Sequence, residues 1–105
     1  MALQTNMAAH KELMQLTRII DEPINVSGGL AVDVRQSLEA DKWNRVAATA
    51  LRNYQEFKGT KLGSAFLAYR ADALNNVGKI EESIEAMRQA VQAMKVASEI
   101  GRAHV

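Results

Sequence analysis

The chain has 105 residues, room for a single domain. Its net charge is +1, with acidic and basic residues interspersed, which argues against a dedicated nucleic-acid surface and against a charged disordered tail. There is no cysteine, so disulfides and thiolate zinc sites are excluded. Hydrophobic residues make up 48% of the chain, and aromatics are confined to Trp43, Tyr54, Phe57, Phe66 and Tyr69. The composition therefore predicts an aliphatic core rich in alanine and methionine. With a single proline, Pro23, the composition favours helix over strand. No stretch approaches the roughly 18 apolar residues needed to span a membrane. The start carries His10, Lys11 and Glu12 where a secretion signal needs an apolar run. A cytoplasmic location is the expectation, and the sequon Asn25-Val26-Ser27 is read as chance.

Periodicity predicts about five helices and no strand. Within the N-terminal segment 1–22, a helix from about Met7 to Ile20 puts Ala9, Leu13, Leu16 and Ile20 on one face. Asp21-Glu22-Pro23 ends it, because proline disfavours helix in the residue before it. A loop with Gly28 and Gly29 follows. The second helix, about Leu30 to Ala40, has Leu30, Val34 and Leu38 as its stripe, and Asp41 reads as a cap for the next.

The third helix, about Lys42 to Lys58, repeats Trp43, Val46, Ala47, Ala50, Leu51, Tyr54 and Phe57 at steps of three and four. Arg45, Thr49, Arg52, Asn53 and Glu56 are placed on its other side, and Gly59 is its stop. The fourth, about Lys61 to Val77, carries two stripes: Leu62, Phe66, Tyr69, Ala73 and Val77, and then Leu67, Ala71 and Leu74. A helix apolar over so wide an arc touches neighbours on two sides and is expected at the centre. Gly78 ends it. The fifth, about Ile80 to Glu99, shows Ile80, Ser83, Ile84, Met87, Ala90, Val91 and Met94 as its core stripe, with residues from Gly101 onward fraying.

An internal repeat links these elements. Trp43 placed over Ile80, an offset of 37 residues, brings Val46 onto Ser83, Ala47 onto Ile84 and Ala50 onto Met87. At the same offset Leu30 falls on Leu67 and Val34 on Ala71. The stretch from Leu67 to Gln92 resembles a tetratricopeptide repeat. It has the small residue Ala71 in its first helix, the turn glycine Gly78, and the large apolar Ile80 opening the second helix. The small Ser83 and Ala90 follow where the family has them. The earlier copy, Leu30 to Tyr54, departs from the pattern at Asp41, Val46 and Asn53, and neither copy has the family's tryptophan or its closing proline. The resemblance covers roughly the last 75 residues. It implies an all-α fold with a first helical hairpin over 30–58 and a second over 61–99, preceded by the helix in 1–22. An unrelated helical bundle is the alternative.

The resemblance implies binding: the family holds a peptide or another protein in a groove lined by the first helix of each pair. Such repeats need about three stacked units, and this chain has two with one extra helix; either that helix caps one end or an apolar face stays open, and an open face predicts a partner or self-association. Arg70 lies inside the apolar arc of its helix, between Phe66 and Leu74. It is either a structural cation with its head in water or a groove residue meeting a partner carboxylate. Tyr69, Asn75, Asn76 and Trp43 complete the expected partner-binding set, with Trp43 read first as an interhelix anchor.

Nothing in the sequence calls for catalysis, a cofactor or a metal. His10 and His104 have no ligand-spaced partner. Glu81, Glu82 and Glu85 suit the start of a helix dipole. Gly28-Gly29 is not followed by the lysine and serine of a phosphate loop. Ser27 and Ser37 sit in no nucleophile motif. The expected function is a small adaptor, scaffold or chaperone that binds a partner segment. A self-assembling structural subunit is the alternative, and a nucleic-acid regulator using Arg35, Arg45, Arg52 and Lys58 stands third.

Overall fold

The computed structural model describes residues 2–23, 32–60 and 62–103, with side chains of 2–6, 32–33 and 99–103 left aside. The Gly28-Gly29 loop, the sequon, Leu30, Lys61 and His104 lie outside the described residues. Over the described residues the chain is all α-helical: α1 (Ala2–Asp21), α2 (Val32–Glu56), α3 (Gly63–Asn76) and α4 (Ile80–Ala103).

The count is four rather than about five because α2 is continuous across Asp41. No glycine or proline interrupts residues 32–56, and an aspartate inside a helix costs only a few tenths of a kcal/mol. Its neighbours Ala40 and Lys42 are strong helix formers. Asp41 therefore caps nothing, and 30–58 holds one long helix instead of a hairpin. The 61–99 segment does contain a hairpin. Its turn follows from Gly78, whose φ of +81° suits a residue without Cβ. Lys79 N donates to Leu74 O at 2.9 Å and Gly78 N to Asn75 O at 3.1 Å, the paired bonds that close a helix end on a left-handed glycine.

α3 is the centre. It packs on α2 along one side and α4 along another, and touches α1. Both of its expected stripes are used: Phe66, Ala73, Leu67, Ala71 and Leu74 are all buried. Phe66 stacks on Phe57, the residue just after α2, ring centroids 5.8 Å apart. From α2 come Val46, Ala47 and Ala50, and from α1 come Ala9 and Leu16, with Leu13 and Ile20 half-buried beside them. The α1 stripe thus lies where the periodicity placed it.

Asn53 departs from expectation. It is buried between Ala50 and Phe57 on the core side of α2, and its Nδ2 has no hydrogen-bond partner. The apolar residues on either side carry it inward, since residues three and four apart share a helix face.

α1 is tied down at its C-terminal end by Lys42. The ammonium donates to Ile20 O at 2.6 Å and Glu22 O at 2.8 Å, satisfying carbonyls that the helix end leaves free. It also lies 5.5 Å from the Trp43 ring centroid. The opening of α2 projects away from the core: residues 34–39 are exposed throughout, Val34 and Leu38 included.

The outcome is a flat, extended molecule. Its principal extents are 58 × 29 × 15 Å and its radius of gyration is 15.9 Å, against about 13 Å for a compact chain of this length. α1, α2 and α3 touch one another pairwise, whereas α4 rests on α3 alone. Among the described residues, no helix is long and apolar enough to cross a membrane.

Candidate protein-binding surface

α4 carries two seams of helical spacing. Ser83, Ala86, Ala90, Ala93 and Ala97 recur at steps of three and four and face inward, with Ala86 and Ala90 fully buried. Their small side chains let α4 lie close on α3, where Ser83 Oγ donates to Ala71 O at 2.7 Å. Ile80, Ile84, Met87, Val91 and Met94 recur at steps of four, three, four and three. At about 100° per residue this second seam lies roughly a quarter-turn round the helix from the first. Its five residues are 46% to 57% exposed.

This corrects the single core stripe read from the sequence, in which Met87 and Met94 were packing residues. Both stripes have helical period, and hydrophobicity alone favours the larger residues for the interior. The close approach of α3 and α4 excludes them, because a methionine between the axes needs space that alanines do not. Five large apolar residues therefore line one side of a helix that rests on a single neighbour, α3. A shallow depression of about 380 Å³ lies along the seam, bordered by Ile84, Met87 and Val91.

Charge is distributed unevenly beside the seam. Glu81 and Glu82 open α4, followed by Glu85, while Arg88 and Lys95 come later in the helix. Arg88 pairs with Glu85 at 3.8 Å, an exposed contact between residues three apart, of the kind that adds little to stability.

Concave surfaces also occur elsewhere among the described residues. The outer side of α1 presents Met7 and Met14 with His10, Lys11 and Arg18 round a hollow of about 500 Å³ that Leu62 closes. A cleft of about 600 Å³ separates α2 from α4, between Leu51 and Tyr54 on one wall and Ala93 and Val96 on the other. Gln55, Lys58, Gln89 and Gln92 also line that cleft, which makes it more polar than the α4 seam.

The residues expected to bind a partner are dispersed. Trp43 and Tyr69 are half-buried against the core, which is the anchor role for Trp43. The Tyr69 hydroxyl lies 3.1 Å from Thr17 Oγ1. Since Thr17 already donates to Leu13 O at 3.0 Å, Tyr69 is the donor, and it pins α3 to α1. Asn75 and Asn76 are exposed at the end of α3, where Asn76 Nδ2 donates to Asp72 O at 2.9 Å. Arg70 is half-buried and has no ion-pair partner within 4.0 Å among the described residues. No side-chain hydrogen bond or ion pair joins any of the five to another among the described residues. Arg35, Arg45 and Arg52 along α2, and Lys58 in the turn after it, are exposed, with Arg35 beside Glu39 at 4.0 Å.

Sequence reasoning missed the α4 seam as a surface. The signal available was the coexistence of a small-residue seam and a large-residue seam on one helix, which were merged into a single stripe. Compared with known proteins, the chain matches no family model, no curated protein and no solved structure.

Proposed function

We propose that this protein is a protein-binding module that takes an amphipathic helix of its partner along α4. One observation carries the reading: Ile80, Ile84, Met87, Val91 and Met94 form a continuous apolar seam that stays about half exposed while alanines hold the same helix to α3. Contiguous apolar surface of this kind is uncommon on proteins that act alone. The 3-4 spacing is that of a seam built for a second helix, whose side chains insert between those of the first. Methionines at two of the five positions make the surface adaptable. The uncrowded, layered arrangement of helices supports an adaptor or scaffold role, as does the hairpin of α3 and α4, the shape implied by the resemblance to a tetratricopeptide repeat. Arg70 and the two asparagines stand apart from the seam on α3, so the seam replaces them as the principal contact.

A photo-crosslinking residue at Met87 in the full chain, expressed in its native cells, tests the reading. A discrete protein adduct is expected. It disappears in the Ile84→Glu/Val91→Glu background and is missing when the probe replaces exposed Gln89. No adduct at Met87 beyond that seen at Gln89 overturns the proposal.

A further inference from the structure

We propose that the helix occupying the α4 seam is α4 of a second copy of this chain, laid antiparallel. The inference rests on the binding reading above and names its partner. Three features favour a copy of the chain in that direction.

The first is register. With the two-fold axis crossing the seam at the level of Gln89, whose own side chain is on the far side of the helix, Ile84 lies opposite Met94 of the copy, Met87 opposite Val91, and Ile80 opposite Ser98. Four of the five seam residues thus meet a large apolar residue on the other helix, and each pairing occurs twice, as a two-fold interface requires. The second is charge. The residues flanking the seam on its outer side are Glu81, Arg88 and Lys95, all exposed. Antiparallel pairing sets Glu81 against Lys95 of the copy, twice. Arg88 meets its own counterpart near the two-fold axis, and Glu85, 3.8 Å away on the same helix, offsets that repulsion. A parallel pair instead stacks Glu81, Glu82 and Glu85 on the same three carboxylates. The third is the helix dipole, which disfavours two helices side by side in the same direction and favours them antiparallel. The inner flank of the seam, Ser83, Ala90 and Ala97, is small and uncharged, so it leaves room for the copy's helix beside α3. A helix pair of this length buries on the order of 1,000 Å² in total, at the lower limit for a specific interface. A dissociation constant on the order of 10 μM is therefore expected.

The test uses the full purified chain, whose lack of cysteine makes introduced thiols unambiguous. Sedimentation equilibrium is expected to show a monomer–dimer equilibrium. The Ile84→Glu/Val91→Glu variant is expected to stay monomeric with unchanged helical circular dichroism, because both positions are surface ones. In a glutathione redox buffer, a mixture of Ile84→Cys and Met94→Cys chains is expected to form the mixed disulfide, with neither variant forming one alone. Glu81→Lys is expected to weaken the dimer about fivefold, from two surface ion pairs, and adding Lys95→Glu to that chain restores it. Disulfides within each single variant, with none favoured in the mixture, overturn the antiparallel arrangement. A wild-type chain monomeric at several hundred micromolar overturns self-pairing altogether. The Met87 probe then separates the two ideas: an adduct with a different protein leaves the binding module standing with another partner, and no adduct removes both.

Discussion

Gly63 and Asn53 occupy tight places for different reasons. Gly63 sits at the start of α3, where the chain doubles back from α2. A Cβ there falls 2.4 Å from the Phe57 carbonyl oxygen, and this is backbone that cannot swing aside. Gly63→Ala must therefore separate the ends of α2 and α3 and disturb the stacked pair of Phe57 and Phe66. A loss of about 2 kcal/mol is expected, seen as a fall of roughly 10 °C in Tm. An unchanged melting curve would mean the turn has slack that the 2.4 Å approach denies. Asn53 is the opposite case, a side chain that fits sterically and leaves an amide unsatisfied. Leaving a buried donor unpaired costs about 1–3 kcal/mol, a burden borne by the apolar contacts of its neighbours. The sequence placed Asn53 outside on polarity alone. Its spacing to Ala50 and Phe57 pointed inward, and spacing decided.

At the scale of elements, the contact between α3 and α4 depends on small residues of α4, whereas the end of α2 meets α3 through the stacked rings of Phe57 and Phe66. This gives α4 an unusual mutational profile. Ala90→Leu inserts bulk where the two axes approach and is expected to cost about 1–3 kcal/mol. Met87→Ala, only three residues earlier, removes an exposed side chain and is expected to change stability by no more than about 0.5 kcal/mol. Urea unfolding at low micromolar protein, below the dissociation constant expected for pairing, measures both. The reverse order, with Met87→Ala the costly change, would place the large seam against α3 and contradict the packing. α2 makes a related point. Its break at Asp41 was inferred from a residue that caps helices well, yet capping needs the chain to leave helical geometry first. Nothing between Val32 and Glu56 forces that.

For the whole molecule, flatness sets the distribution of stability. α3 is covered on several sides, whereas α4 has one neighbour and α2 projects its first turns into solvent. Native-state hydrogen exchange is expected to protect the amides of α3 and of α2 from Val46 to Glu56 most strongly. Those of α4 beyond Val91 exchange at lower opening free energy, because fewer buried contacts must be broken. Protection in α4 is expected to rise with protein concentration if copies pair along it, since binding the folded form stabilises it by mass action. Uniform protection across all helices would show a more cooperative body than a layer of this kind supports.

The amino-acid sequence by itself determined the all-helical class, the inward stripe of α1, the central place of α3, and the turn at Gly78. Each of these follows from one unopposed signal: a single apolar period, a doubly apolar arc, or a glycine where positive φ is needed. The continuity of α2 through Asp41 and the inward place of Asn53 were also written in local propensity and spacing, where a cap signal and side-chain polarity pointed the other way. Tertiary structure decided which of two competing seams on α4 is buried, an outcome of the distance between the axes of α3 and α4. Periodicity reports the angle of a side chain round its own helix, and carries no information on how closely the neighbouring helix approaches.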